Sequence, residues 1–313
     1  MKKQILYLLT ASLIIVFTAC KKDSSSNNND EMATHSDDQE QFDGELDAAS
    51  NDVVGALESS ASFTGRLQGT QGVTGLQGIG DCDATAVLDV VSNPRTITIT
   101  FAGNCLGTRT RTGVVVISMA QGVQWKNAGA AVTVTFQNLK ITRVADNKSI
   151  TINGAQTYTN VSGGLMINLP TLGTITHSIT SSGLTVTFNN GTQRSWQVAK
   201  QRTFTWNAAN TTGVITTTGT HTEGNVTGIA EWGTNRFGRT FTTSIVEPLV
   251  VRQDCNFRLT SGQVKHVTPA VTATATFGLN ANGEPTSCPA GNYYCKVVWN
   301  GANGNSLSVI FPY

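Results

Sequence analysis

His221 and Glu223 stand two residues apart in "GTHTEGN", and Glu231 follows in the next run of strand-forming residues. An imidazole with two carboxylates is the smallest set that could move a proton or hold a metal ion. On a strand, a period of two places residues 221 and 223 on one face, with Glu231 on the neighbouring strand. The competing reading is an exposed polar strand end, and the surrounding sequence favours it. No Gly-x-Ser-x-Gly elbow, His-Glu-x-x-His pair or Gly-rich phosphate loop is present. The other histidines beyond residue 45 are His177 and His266. Asp81 and Asp83 in "GIGDCDA" carry oxygens of the kind calcium takes, but two carboxylates in a turn are too few to hold it. No catalytic residue, metal or cofactor is expected.

Five tryptophans, Trp125, Trp196, Trp206, Trp232 and Trp299, could in principle stack on sugar rings. Trp206 alternates with Phe204 and reads as core. Trp125, in "QGVQWKNAG", is the best candidate for an exposed loop position and for ligand contact, with packing as the competing role.

Six cysteines divide into one and five. Cys82 and Cys105 flank "ATAVLDVVSNPRTITITF", a hairpin with its turn at Ser92 to Pro94, so the two can meet across it. Cys255 with Cys288 is the second expected pair and leaves Cys295 free; Cys288 with Cys295 competes. Zinc would want tighter spacing such as Cys-x-x-Cys, which is not present.

Cys20 is the odd one. Lys2 and Lys3 precede a mostly apolar run from Ile5 to Phe17, thirteen residues long. A membrane-spanning helix takes about 20, whereas a basic start, a short apolar core and small residues at a boundary make a secretory signal. The boundary Phe17-Thr18-Ala19-Cys20 resembles the lipobox of bacterial lipoproteins, with Phe17 where Leu is usual. That resemblance implies removal of residues 1–19 and acylation of Cys20. Two or three chains there would give stable anchoring, since each buried CH₂ contributes about 0.8 kcal/mol. The "CKKD" start at residues 20–23 is similar to that of Bacteroidetes lipoproteins, which implies the outer membrane, at the cell surface or on the periplasmic face.

Behind the cysteine, residues 20–44 are Ser, Asn, Asp, Glu and Gln with few apolar side chains. Such a segment buries too little surface to offset its ordering entropy and is expected to be a disordered tether. Charge is split along the chain. Nine of the twenty acids lie between Asp23 and Asp47, whereas from Val53 onward seventeen Lys and Arg face ten Asp and Glu. The basic residues are scattered singly, with no run, so a nucleic-acid partner is not expected.

The elements that must position these residues follow from period. One short helix is expected at Gly44 to Glu58, where Leu46, Val53, Val54 and Leu57 fall near one face. Beyond it, "ITITF" (97–101), "VTVTF" (132–136), "LTVTF" (184–188), "RTFTW" (202–206) and "ATATF" (273–277) alternate apolar and hydroxyl residues. That is the mark of a half-buried strand, for which Thr is well shaped. Their unequal spacing excludes a solenoid or propeller. "GVVVISM" (113–119), "SITINGAQTYTN" (149–160), "RTFTTSIVEPLVV" (239–251) and "SLSVIFP" (306–312) add strands, and Asn153-Gly154, Asn190-Gly191, Asn282-Gly283, Asn300-Gly301 and Asn303-Gly304 add turn signals. With no helical pattern between strands, the expectation is an all-β antiparallel domain over 45–313, either a sandwich or a curled open half-barrel.

"ITITFAGNCLGTRTRTGVVVISM", "SITINGAQTYTN", "NVTGIAEWGTNRFGRTFTTSIVEPLV" and "DCNFRLTSGQVKHVTP" resemble segments of Bacteroidetes outer-membrane lipoproteins, over most of residues 82–301. "SCPAGNYYC" departs from that group by carrying two cysteines. The resemblance implies anchor and β architecture and brings no catalytic residue. The functional expectation is a non-catalytic, lipid-anchored envelope protein whose β domain binds a partner or serves structure. Its partners would be the membrane and a glycan or envelope protein. The alternatives are a carrier of an apolar ligand within a curled sheet and, resting on His221, Glu223 and Glu231, a hydrolase.

Overall fold

A computed structural model describes residues 27–65, 82–105, 109–181, 183–209, 211–301 and 304–313. The signal segment, Cys20 and the start of the tether lie outside the described residues. Helix α1 spans Asn27–Ser59 and a single turn, α2, spans Ala61–Thr64. The strands are β1 (Cys82–Asp89), β2 (Arg95–Cys105), β3 (Arg109–Met119), β4 (Ala130–Arg143), β5 (Ser149–Asn160), β6 (Thr174–Ser181), β7 (Leu184–Phe188) and β8 (Gln193–Asn207). They continue as β9 (Thr212–Gly219), β10 (His221–Glu223), β11 (Val226–Thr234), β12 (Thr240–Arg252), β13 (Arg258–Val267), β14 (Val271–Leu279), β15 (Tyr294–Gly301) and β16 (Ser306–Pro312). A further turn of helix, α3 (Leu169–Leu172), lies between β5 and β6.

All sixteen strands belong to one antiparallel sheet, which runs from β1 to β16 with no pairing between these two among the described residues. The all-β expectation holds, and the sheet is a single curled layer rather than a sandwich. Every repeated Thr phrase lies within a strand, and β5 and β16 coincide with "SITINGAQTYTN" and "SLSVIFP". Asn153-Gly154 is a correction. It lies inside β5, where the β4–β5 register slips between Phe136 and Leu139. Gly154 has φ +116 there, and a Cβ would sit 3.0 Å from the Gly183 carbonyl oxygen, so glycine permits a bulge rather than a turn.

The larger correction concerns the tether. The helix is not confined to residues 44–58; it begins at Asn27, and its side chains from Thr34 onward pack on the sheet. Phe42, Leu46, Ala49, Val53, Ala56 and Leu57 are all buried, spaced by the three- and four-residue steps that keep one helical face inward. They form one core with inward residues of the sheet, from Ile97 and Ile99 on β2 to Phe241 on β12. The ring of Phe42 lies 3.8 Å from that of Trp196.

The helix lies in a trough. Glu45 and Asp52, on one flank, meet Arg111 of β3, whereas Asp47 and Asp43, on the other, meet Arg202 and Lys200 of β8. A helix gripped on opposite flanks by strands this far apart in the order requires a sheet bent around it. Two cavities beside α1 hold about 10 Å³ each, too little for more than about one water.

Candidate functional site

Helix α1 carries ten acids and no Lys or Arg, which explains the split of charge along the chain. Asp37 pairs with Arg143 and Lys148, Asp38 with Arg236, Asp43 with Lys200, Glu45 with Arg109 and Arg111, Asp47 with Arg202, and Asp52 with Arg111. Seven of the scattered basic residues thus converge on the chain's own acidic segment. Glu58 finishes the docking by accepting the backbone N–H of Met166 at 2.8 Å.

Beneath the helix lies a cluster around Glu231, whose side chain is 1 % exposed. Its carboxylate accepts bonds from Trp196 Nε1 at 3.0 Å and from Gln39, and it is paired with Lys200. Burial acts to raise the Glu231 carboxyl, but the Lys200 charge together with hydrogen bonds from Asp43, Lys200 and Gln39 holds the group below the usual range. Asp43 keeps part of its side chain in solvent, yet its Oδ1 is enclosed. Burial, and then the Glu231 charge, push its carboxyl well up. Asp52 is raised by burial to about 6 in spite of Arg111.

Nearby, the Nε2 atoms of His35 and His266 lie 2.9 Å apart, and His266 Nδ1 lies 2.8 Å from Thr243 Oγ1. Burial pushes His35 down to about 2 and His266 to about 4, with His266 and the Arg194 charge adding to the effect at His35, and Arg194 at His266. Both rings are therefore neutral at pH 7. Arg194 is 2 % exposed, with its guanidinium 3.4 Å from the Trp196 ring centroid. Burial lowers it to about 9.

The residues singled out for chemistry do not converge. Glu231 points inward, while the His221 ring stacks at 4.0 Å on Trp232, which strand alternation puts on the opposite face from Glu231. Glu223 is exposed at the end of β10, opposite Val226. Trp125 is fully buried rather than in an exposed loop. Its backbone N–H bonds to Phe63 O at 2.8 Å, and its ring meets His177 edge-on at 5.2 Å. Asp81 lies outside the described residues, and Asp83 falls within β1. Cys82 and Cys105 are paired in the β1–β2 register, but their side chains lie outside the described set. Cys255 and Cys288 form a disulfide, and Cys295 is a buried free thiol pushed up to about 12 by burial. Among the described residues, the one cluster with metal-ligand spacing is Asp254, Cys255 and Cys288, and its sulfurs are spent in that disulfide.

The outer face was missed as a unit. Register aligns Thr96, Ser118, Thr133, Thr157 and Thr180 in one row across β2, β3, β4, β5 and β6. A second row runs Ala131, Thr159, Ser178, Gln201 and Thr218 from β4 to β9, and a third Thr176, Thr203 and Thr216. Lys140 is the single charged side chain among the described outward positions of β2 to β9. Soluble surfaces ordinarily carry about a quarter to a third charged residues. The signal was in the sequence as "TITIT" and "VTVTF", but only strand register turns separate phrases into a continuous surface.

Comparison with protein-family models, curated proteins and solved structures finds no match to this chain.

Proposed function

We propose that the protein is a non-catalytic cell-envelope lipoprotein, held at the outer membrane by acyl chains on Cys20, and that the outward face of β2 to β9 is the surface it presents. The observation that carries this reading is the contrast between the two faces of the sheet. From β2 to β12 the inner face is occupied by α1, so a partner of these strands has the outer face to use. That face offers hydroxyls and amides in rows with one charge, which suits a neutral, polyhydroxylated polymer such as a glycan. Neutral hydrogen-bonding groups on both sides exchange water without the desolvation cost of a buried ion. The closed setting of Glu231 favours a structural role for that carboxylate over hydrolysis. The filled trough speaks against the apolar-carrier alternative, which needs a cavity far larger than about 10 Å³.

A glycan array with the purified chain tests the binding surface. Binding to neutral polysaccharides that is lost in Thr133→Lys/Thr157→Lys supports it; binding unchanged by that pair, or none to any glycan, removes it. Mass spectrometry of the native product tests the anchor separately, through the acyl mass expected on Cys20.

A further inference from the structure

The sheet ends at β16, which among the described strands pairs with β15 alone. Edge strands present unpaired backbone N–H and C=O groups, and proteins ordinarily blunt them with charge, above all Lys. β16 has no charged residue in "SLSVIFP", and Ser306, Leu307, Ser308 and Val309 are exposed in succession. Leu307 is 61 % exposed and Val309 39 %. The opposite edge differs in kind, because β1 carries Asp83 and Asp89.

Two rows on the inner face, apolar from β14 outward, run into this open edge. One passes from Ile245 through Val264, Ala275 and Val297 to Val309; the other from His266 through Ala273 and Trp299 to Leu307. Phe311 lies on the same face, two residues beyond Val309. The sequence of the edge is self-complementary about Val309. In an antiparallel pair of β16 strands centred there, Val309 faces Val309 of the second copy, and Leu307 faces Phe311 in both directions. The apolar rows then continue without a break into the second sheet, and no like charges are opposed.

From this geometry we infer that β16 is a docking edge for a second copy of the chain, forming a two-fold dimer by strand addition centred on Val309. A closed two-fold contact of this type is isologous and stops at two subunits, with backbone hydrogen bonds supplying attraction and side-chain rows the register. Pro312 has no N–H and ends the ladder at either side.

Sedimentation velocity of the full chain in detergent, from about 1 to about 100 µM, tests the inference. The expected result is a concentration-dependent dimer. Val309→Lys places two ammonium groups face to face at the dyad and is expected to weaken the dimer at least about tenfold. Val309→Thr, neutral and β-branched, is expected to retain it, and Val87→Lys on β1 to leave it unchanged. Circular dichroism confirms that each variant is folded. A wild-type chain that stays monomeric throughout the range overturns the proposal. So does a Val309→Lys dimer as tight as wild type, and so does equal loss with Val87→Lys, which would mean β1-to-β16 pairing instead.

Discussion

The inner face of the sheet is closed in two different ways. From β2 to β12 a helix from the far end of the chain fills it, with Phe42, Leu46 and Val53 in the core and carboxylates along both flanks. From β13 to β16 the cover is local. Cys255, just before β13, is bonded to Cys288 in the loop after β14. Arg258 donates to Pro289 O and Gly291 O, both at 2.7 Å. Tyr313 OH donates to Leu259 O at 2.7 Å and accepts from Gly278 N at 2.8 Å. This cover reaches the end of the wing around Cys295 and leaves Leu307 and Val309 bare. A distant helix can bury a wide sheet but depends on long-range contacts, whereas a cross-linked loop secures a small area independently of them.

The contrast can be broken most severely at the helix. Phe42→Ala removes a fully buried ring against Trp196 and is expected to cost about 3–5 kcal/mol in urea unfolding. Arg111→Met leaves Glu45 and Asp52 buried without their shared cation and should cost a similar amount, about 3–5 kcal/mol. An exposed pair such as Arg252–Asp254 should show no more than about 1 kcal/mol when cut by Arg252→Ala. The next effect belongs to the wing. Cys255→Ser/Cys288→Ser opens a link of sequence separation 33 and should cost about 3–4 kcal/mol. Hydrogen exchange should quicken in β13 to β15 and stay unchanged in β2 to β8.

Acid sharpens the comparison, because the buried histidines sit on the helix side. His177 is held down to about 4 by burial and then by Arg202 of β8; Trp125 and Phe204 flank its ring. The unfolded chain takes up a proton near pH 6.5 while the folded chain resists until about 4. Stability from this group is therefore present above the unfolded value and lost as pH falls through that window. Between pH 7 and 4 the wild type should lose about 3 kcal/mol relative to His177→Gln, read as the change in their unfolding difference. The smallest effect is expected at the bare edge. Leu307→Ser should change monomer stability by less than about 0.5 kcal/mol.

Most of the strand architecture was legible because alternation is a local property. "SITINGAQTYTN" declares its own conformation, and the hairpin that sets Cys82 opposite Cys105 follows from its flanks and turn. The helix was legible only from Gly44 onward. Asp37, Asp38 and Asp43 read as solvated tether because their partners, Arg143, Arg236 and Lys200, are 106 to 198 residues away. Local hydropathy cannot register an ion pair formed at that distance. Trp125 was misplaced for a related reason. Its polar neighbours suggest a surface loop, but the loop folds inward onto Phe63 and Asn160. Glu231 was singled out only as a companion of His221 and Glu223, and its inward direction depends on which strands flank β11.

The central claim is that the acidic segment is a structural helix inside the sheet rather than a leash outside it. Hydrogen–deuterium exchange of the full chain, resolved over residues 37–57, tests it most directly. Amides from Phe42 to Leu57 protected to the same degree as those of β2 and β8 are the expected result. Complete exchange within seconds across that stretch, with the strands still protected, would contradict it.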